Sequence, residues 1–337
     1  MKSSKIFMGA KGFLAMFMLA TSLPTLQAAD LKLGIQTYML GRLDFDQMVD
    51  FAKKHELKHL QLFSRHLGPD SAPDEIARRR KQLDEAGLVA YTFGVAGTSS
   101  DKEENRKLFE FAKTMGMSLI IVEPRQLSIV DHLEELVKEY DIRIAIHNHG
   151  LKTMYGNPLV VRSLLEGRDP RMGVCLDAGW VASARFNPAH VFQDYNGRVF
   201  DIHLKDKKVS ATENGDVAVD TFVGEGDAKL EQLIKVAVEA GYEGVFALES
   251  DARYSDPTEH ITQAREWFGK WADKESLADV KVEERRGRFG GGRRFRPNPE
   301  MIKQFDKNGD GELNDAERRA MFEAMRSRRG AAPRNNR

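Results

Sequence analysis

Between residues 30 and 273, short apolar runs alternate eight times with longer, charged stretches. The runs are Leu33–Thr37, His59–Phe63, Val89–Val95, Leu119–Glu123, Ile142–His147, Gly173–Asp177, Val199–His203 and Val245–Glu249. They are rich in Val, Ile, Leu and Phe and show no polar alternation, which suits parallel strands covered on both faces. The intervening stretches carry apolar residues three and four apart, the spacing of amphipathic helices. They are Asp46–His55, Ala72–Ala86, Glu103–Met115, Leu127–Tyr140, Pro158–Leu165, Pro188–Tyr195, Asp227–Ala240 and Pro257–Trp271. Eight strand–helix repeats in about 245 residues predict a (β/α)8 barrel, an α/β fold. An open doubly wound sheet is the rival, but no Gly-rich phosphate fingerprint follows the first run.

The flanking segments have a different character. Lys2, Lys5 and Lys11 precede the apolar run Phe13–Leu23, and Ala28 and Ala29 follow it. That pattern predicts a cleaved signal peptide over 1–29 and a periplasmic or secreted protein without a stable membrane span. Residues 274–297 lose the barrel rhythm, and Arg285–Gly292 reads as an Arg/Gly-rich flexible linker. Residues 298–329 regain helix–loop–helix character, and 330–337 read as a frayed tail.

Charge is distributed as unevenly as structure. From Glu283 onward 15 Lys or Arg face 9 Asp or Glu, a net of +6, while the whole chain is neutral. With three basic residues near the start, the predicted barrel stands near −9, which argues against nucleic acid as a partner. The lone Cys175 cannot form an internal disulfide and lies in an apolar run, where burial is expected.

Asp306-x-Asn308-x-Asp310-Gly311, followed by Glu317, matches an EF-hand loop at every position. Asp306, Asn308 and Asp310 offer side-chain oxygens and Glu312 its carbonyl. Asn314 acts through water, Glu317 can bind bidentately, and Gly311 permits the sharp turn. Only one hand is visible, so affinity for Ca2+ is expected to be weak, roughly 10⁻⁴–10⁻³ M, unless hands pair or the chain forms a homo-oligomer.

A second set of ligand-type residues sits where barrel strands end, the face on which barrel chemistry occurs. Glu123 ends the fourth strand, His147 the fifth, Asp177 the sixth and Glu249 the eighth. Asp201-Ile202-His203-Leu204-Lys205-Asp206 ends the seventh. Mixed oxygen and nitrogen ligands suit Mn2+, Mg2+, Co2+ or Zn2+ without choosing among them.

On the segments Ile144–Gly150, Val174–Trp180, Ile202–Lys207, Val223–Asp227 and Ala247–Glu249, residues 30–273 resemble the xylose-isomerase-like barrel superfamily of sugar phosphate isomerases and epimerases. The resemblance implies a metal held from strands five to eight by Glu, Asp, His and Glu. By position these are His147, Asp177, His203 and Glu249, with His147 where the epimerases place Glu and His149 competing for that role. It implies Glu249 as general base, with Glu123 a replacement for the missing glutamate. Lys205 either stabilises an enediolate oxygen or is solvated. Trp180 stands where many relatives have His, as a substrate-facing wall or as packing. The implied function is a divalent-metal-dependent isomerase or epimerase of a small-molecule sugar or sugar derivative, acting by proton abstraction next to a carbonyl. A metal-dependent 3-keto-glycoside lyase and a non-catalytic, calcium-dependent sugar-binding protein are the alternatives. Phosphodiester cleavage, as in the AP endonuclease branch, fits poorly with the acidic body.

Overall fold

The computed structural model describes residues 31–213, 215–252, 256–271 and 274–285, together with Phe305, Lys307, Gly309, Glu317 and Ala320. The chain divides into two compact units, 1–282 and 283–337. The first unit contains the eight expected strands, each within two residues of its expected bounds. They are β1 (Lys32–Gln36), β2 (His59–Leu62), β3 (Val89–Ala96), β4 (Leu119–Val122), β5 (Arg143–His147), β6 (Met172–Asp177), β7 (Val199–Leu204) and, after a hairpin, β10 (Val245–Leu248). All are parallel and close as β1-β10-β7-β6-β5-β4-β3-β2.

The helices are α1 (Phe45–Lys54), α2 (Pro73–Glu85), α3 (Lys102–Met115), α4 (Leu127–Tyr140), α5 (Pro158–Leu165), α6 (Ala178–Ser183), α7 (Pro188–Asp194), α8 (Leu230–Glu239), α9 (Thr258–Lys270) and α10 (Lys274–Ala278). Local chemistry sets several of their starts. Asp44 and Gln47 form a reciprocal capping box on α1, and Asn157 and Asn187 cap helices whose first residue is proline. α8 begins at Leu230 rather than at the expected Asp227, because the Asp227 carboxylate accepts the Val209 amide and Lys229 adopts φ +50°. α10 lies in the stretch expected to be linker, yet its Leu277 is buried and its carbonyl accepts from Lys235 Nζ at 2.9 Å.

Two apolar clusters explain why the strands lack polar alternation. The large one fills the space between strands and helices. The small one, Leu119, Ile121, Ala145 and Cys175, is a separate packing unit drawn only from strand residues. Strand residues therefore meet apolar surroundings on both faces. Cys175 is buried, as its apolar run suggests.

An antiparallel hairpin, β8 (Asp206–Thr212) and β9 (Gly215–Thr221), follows β7 where the repeat pattern predicts only a strand-to-helix connection. Asp206 anchors its base by accepting the backbone amides of Gly224, Gly226 and Ala228. A Cβ on Gly226 would lie 2.1 Å from Asp206 Oδ1, so this close approach requires glycine. Among the described residues no helix is long and apolar enough to cross a membrane.

His260 on α9 is 2% exposed, with its ring 5.3 Å from that of Phe222. Burial pushes its pKa from 6.5 down to about 4. The unfolded chain therefore takes up a proton that the folded chain refuses. Stability is full above pH 6.5 and falls as the pH drops toward 4, by about 3 kcal/mol in all. Urea unfolding at pH 7 and pH 4.5 checks this: His260→Phe should lose less stability between the two than the parent protein. Equal losses would assign the acid sensitivity elsewhere.

In the second unit, the Lys307 amide donates to Glu317 Oε1 at 2.7 Å, and Glu317 is 3% exposed. Asp306, Asn308, Asp310, Glu312 and Asn314 lie outside the described residues, as do the signal segment 1–29 and most of the expected EF-hand helices.

Candidate metal centre

Period two along the strands decides which residues face the barrel axis. Ala145 and His147 on β5, Cys175 and Asp177 on β6, and Asp201 and His203 on β7 share that face, followed by Lys205. Ala247 and Glu249 continue it at β10. One irregularity is needed. The β6–β7 register runs Val174↔Val199 and then Cys175↔Asp201, so β7 carries one extra residue, Phe200. That slip brings Asp201 opposite Cys175 and His203 opposite Asp177.

His147, Asp177, His203 and Glu249 each offer one ligand atom, and these lie within 4.8 Å of one another. His147 Nε2 is 3.5 Å and His203 Nδ1 is 3.7 Å from Asp177 Oδ2, and His203 Nδ1 is 2.5 Å from Glu249 Oε2. All are buried, yet His147 Nε2, Asp177 Oδ2, His203 Nδ1 and Glu249 Oε2 make no hydrogen bond of acceptable geometry. Four buried atoms converge without a hydrogen bond, with ion-pair contacts among themselves and to Lys205, an arrangement that a divalent cation would satisfy more fully. Two nitrogens and two carboxylate oxygens fit a first-row divalent ion or Mg2+.

Surrounding residues orient the set. His203 Nε2–H donates to Gln61 Oε1 at 2.8 Å, which directs the Nδ1 lone pair toward the cluster. Asp201 lies 3.6 Å from the same nitrogen and accepts the Tyr91 hydroxyl at 2.9 Å. Asp177 Oδ1 accepts the Trp180 amide, while Asn148 pairs with the backbone of Asp177 through both ends of its amide. Gln61, Asn148 and Asp201 are buried polar residues that the strand-end pattern does not single out as site residues. The signal available for Gln61 is a polar residue inside the apolar run His59–Phe63.

Electrostatics keep the acids ionised. Burial pushes Glu249 up, but Lys205 and His203 outweigh it and bring its pKa to about 2. Burial likewise opposes ionisation of Asp177, and Lys205 with the two histidines holds it well below the ordinary range. Burial disfavours charge on His203, yet Cys175, Glu249 and Asp177 hold its pKa above the ordinary value. A proton and a metal ion are alternatives for that Nδ1 lone pair.

Lys205 is 1% exposed, not the solvated loop lysine that is one reading of its sequence context. Its ammonium donates to Glu249 Oε1 at 3.1 Å and lies 3.3 Å from Asp177 Oδ2 and 3.1 Å from Asp251 Oδ2. Lys207, also buried, pairs with Asp220 of the hairpin and with Asp251 at 3.1 Å. Glu123 stands beside the cluster, 3.9 Å from His147 Nδ1 and 3.1 Å from His149 Nδ1. Burial opposes its charge, but the two histidines bring its pKa to about 2. His149 therefore pairs with Glu123, while His147 is the fifth-strand residue in the four-ligand set.

Trp180 is half-buried. Lys207 Nζ sits 3.9 Å from the ring centroid, and a Cβ on Gly150 would lie 2.9 Å from Trp180 Cζ3. These contacts are packing, and the part of the ring left exposed keeps the substrate-facing wall as a proposal.

Comparison with known proteins agrees with this architecture. Residues 49–271 match the xylose isomerase-like TIM barrel family. Inosose dehydratase of Clostridium tetani is 22% identical, over 58% of this chain and 80% of that protein. An uncharacterized protein from Parabacteroides distasonis is 28% identical with a TM-score of 0.57, covering 72% of this chain and 99% of its own. A xylose isomerase-like TIM barrel protein from Mycobacterium smegmatis, solved in complex with magnesium, is 14% identical with a TM-score of 0.60, covering 74% and 99%.

Proposed function

The chain belongs to the xylose isomerase-like TIM barrel family, and from that premise we propose that it is a divalent-metal-dependent enzyme acting on a sugar or sugar derivative by removing a proton next to a carbonyl. The observation that carries the proposal is the convergence of four buried ligand atoms without hydrogen bonds, from His147, Asp177, His203 and Glu249. A divalent ion held there supplies Lewis-acid polarisation of the substrate carbonyl. Glu249, ionised and buried, accepts the proton. Lys205, which donates to Glu249 from within the same cluster, stabilises negative charge developing on the carbonyl oxygen.

Once the proton is removed, isomerisation or epimerisation is the first reading of the reaction. Elimination of a β-substituent is the second, and one observation favours it. The fifth strand places His147, not a carboxylate, in the ligand set, so Glu249 is the one glutamate among the ligands, and the nearby Glu123 is held by His149 at 3.1 Å. Epimerisation needs a base on each face of the carbon, whereas elimination needs one base. The inosose dehydratase relative, named for loss of water, is in keeping with that reading.

Protein purified without chelator should carry a transition metal or magnesium in the barrel by elemental analysis. Metal-loaded protein in D2O, offered ketoses and 3-keto-glycosides, separates the readings. Label at the α-carbon with a rearranged sugar marks isomerisation, and release of the aglycone marks elimination. A barrel with no metal and no exchange would leave only the binding-protein alternative standing.

The EF-hand at 306–317 is proposed as a Ca2+ site, supported by its ligand spacing and by Glu317 folded against the Lys307 amide. Terbium luminescence titrated against Ca2+ should report one site, weakened about tenfold or more in Glu317→Gln. No terbium signal would remove the proposal. Export through the segment 1–29, a linker in the part of 274–297 beyond α10 and pairing of EF-hands between chains remain proposals from the sequence.

A further inference from the structure

The metal cluster draws on β5, β6, β7 and β10, which form only one side of the barrel mouth. The remaining strands, β4, β3, β2 and β1, close the barrel, and the register of β1 on β2 pairs Gln36 with Gln61. Gln61 reaches across the barrel axis to His203, so β2 at that level faces the cluster. Two residues further along each chain, toward the mouth, stand Tyr38 and Phe63. Their rings meet edge-to-face with centroids 5.3 Å apart.

Tyr38 is 42% exposed and Phe63 half-buried, an aromatic surface open at the rim. It is braced from beneath. Thr37 Oγ1 accepts the Phe63 amide at 2.9 Å and lies 3.2 Å from His66 Nδ1, and the His66 ring lies 6.4 Å from that of Phe63. An exposed aromatic held in a fixed orientation presents contact area with little ordering entropy to lose on binding. Trp180, also half-buried, has Lys207 Nζ over its ring, 3.9 Å from the centroid.

We infer that Tyr38 and Phe63 form a subsite for a second ring, so that the substrate is a glycoside whose reacting sugar lies over the metal cluster and whose aglycone or neighbouring sugar stacks on this pair. The inference rests on the sugar-directed reading of the site but not on its being catalytic. The hydroxyl of Tyr38 adds a polar tip that suits a ring bearing hydroxyl groups at its edge. The uncovered aromatic pair offers stacking chemistry for a substituent that a free monosaccharide lacks.

The test compares affinities, measured by calorimetry or saturation-transfer NMR on the Mn2+-loaded full chain. The probes are matched methyl and phenyl glycosides in the gluco, galacto and manno configurations. In at least one configuration the phenyl glycoside should bind about tenfold more tightly than its methyl counterpart. Tyr38→Ala should bring that ratio close to one, and Tyr38→Phe should keep most of it. Circular dichroism and metal content verify that the variants are folded. A ratio near one in the parent protein, a ratio unchanged by Tyr38→Ala, or no saturable binding of any phenyl glycoside would each overturn the inference. A preserved ratio without turnover would instead count against the enzymatic reading alone.

Discussion

Replacing Glu249 by glutamine is expected to lower turnover of a keto-sugar substrate by about 10²–10⁴-fold. The side chain is 8% exposed, with one oxygen accepting from Lys205 at 3.1 Å and the other 2.5 Å from His203 Nδ1. Glutamine preserves the shape but removes both the negative charge and the basic lone pair. Because Glu249 belongs to the ligand set, the comparison is made at saturating Mn2+ with metal content measured on the same samples. A variant that keeps full metal and loses turnover assigns proton transfer to this carboxylate. A variant that keeps both would remove Glu249 from the base role and direct attention to Glu123.

Replacing Lys205 by methionine should lower the stability of the metal-free protein by about 3–5 kcal/mol. The ammonium is buried and lies within 3.3 Å of Asp177 and 3.1 Å of Glu249. Its removal leaves those carboxylates in a desolvated site without their main counter-charge. The sign with pH is set by Glu249. Its folded pKa is depressed from 4.5 to about 2, so it contributes stability above pH 4.5 that is lost as the pH falls toward 2. Without Lys205 the depression weakens. The deficit of the variant should therefore be largest near neutral pH and shrink as acid protonates the carboxylates. A divalent ion supplies the missing positive charge and should narrow the deficit. Urea unfolding at pH 7 and pH 3, with chelator and with Mn2+, measures all four conditions. A deficit indifferent to pH and metal would mean that Lys205 acts through its alkyl chain, which packs so closely on Gly179 that a Cβ there would lie 2.7 Å from Lys205 Cγ.

The barrel is legible because each strand is a short apolar run and each helix an amphipathic one, a local pattern that tertiary packing then reinforces. The hairpin is not among the expected elements, although its signal is present. Val209 to Ala211 and Val217 to Val219 are strand-prone runs on either side of the turn-forming residues Asn214 and Gly215. The strand–helix repeat masks it, because that repeat calls for a plain connection at this point. Its Asp220 pairs with Lys207 and accepts from Ser250 at 2.8 Å, so part of the site's rim is hidden with it.

Among the site residues, those at strand ends are legible by position alone: Glu123, His147, Asp177, His203 and Glu249. Their partners are not. Gln61 meets His203 across 142 positions of sequence, and Tyr91 meets Asp201 across 110. Such pairs leave no local periodicity to read.

By itself, the order of residues determined the eight-strand barrel, the burial of Cys175 and the strand ends that carry ligand-type side chains. Those are products of hydrophobic patterning, which acts over a few neighbouring residues. Only the tertiary structure decided which of these side chains share one cluster, that Lys205 is buried among carboxylates, and that Tyr38 is open at the rim. Those depend on barrel closure and on the one-residue slip at Phe200, which sets the facing of Asp201 and His203 through contacts between strands distant in the chain.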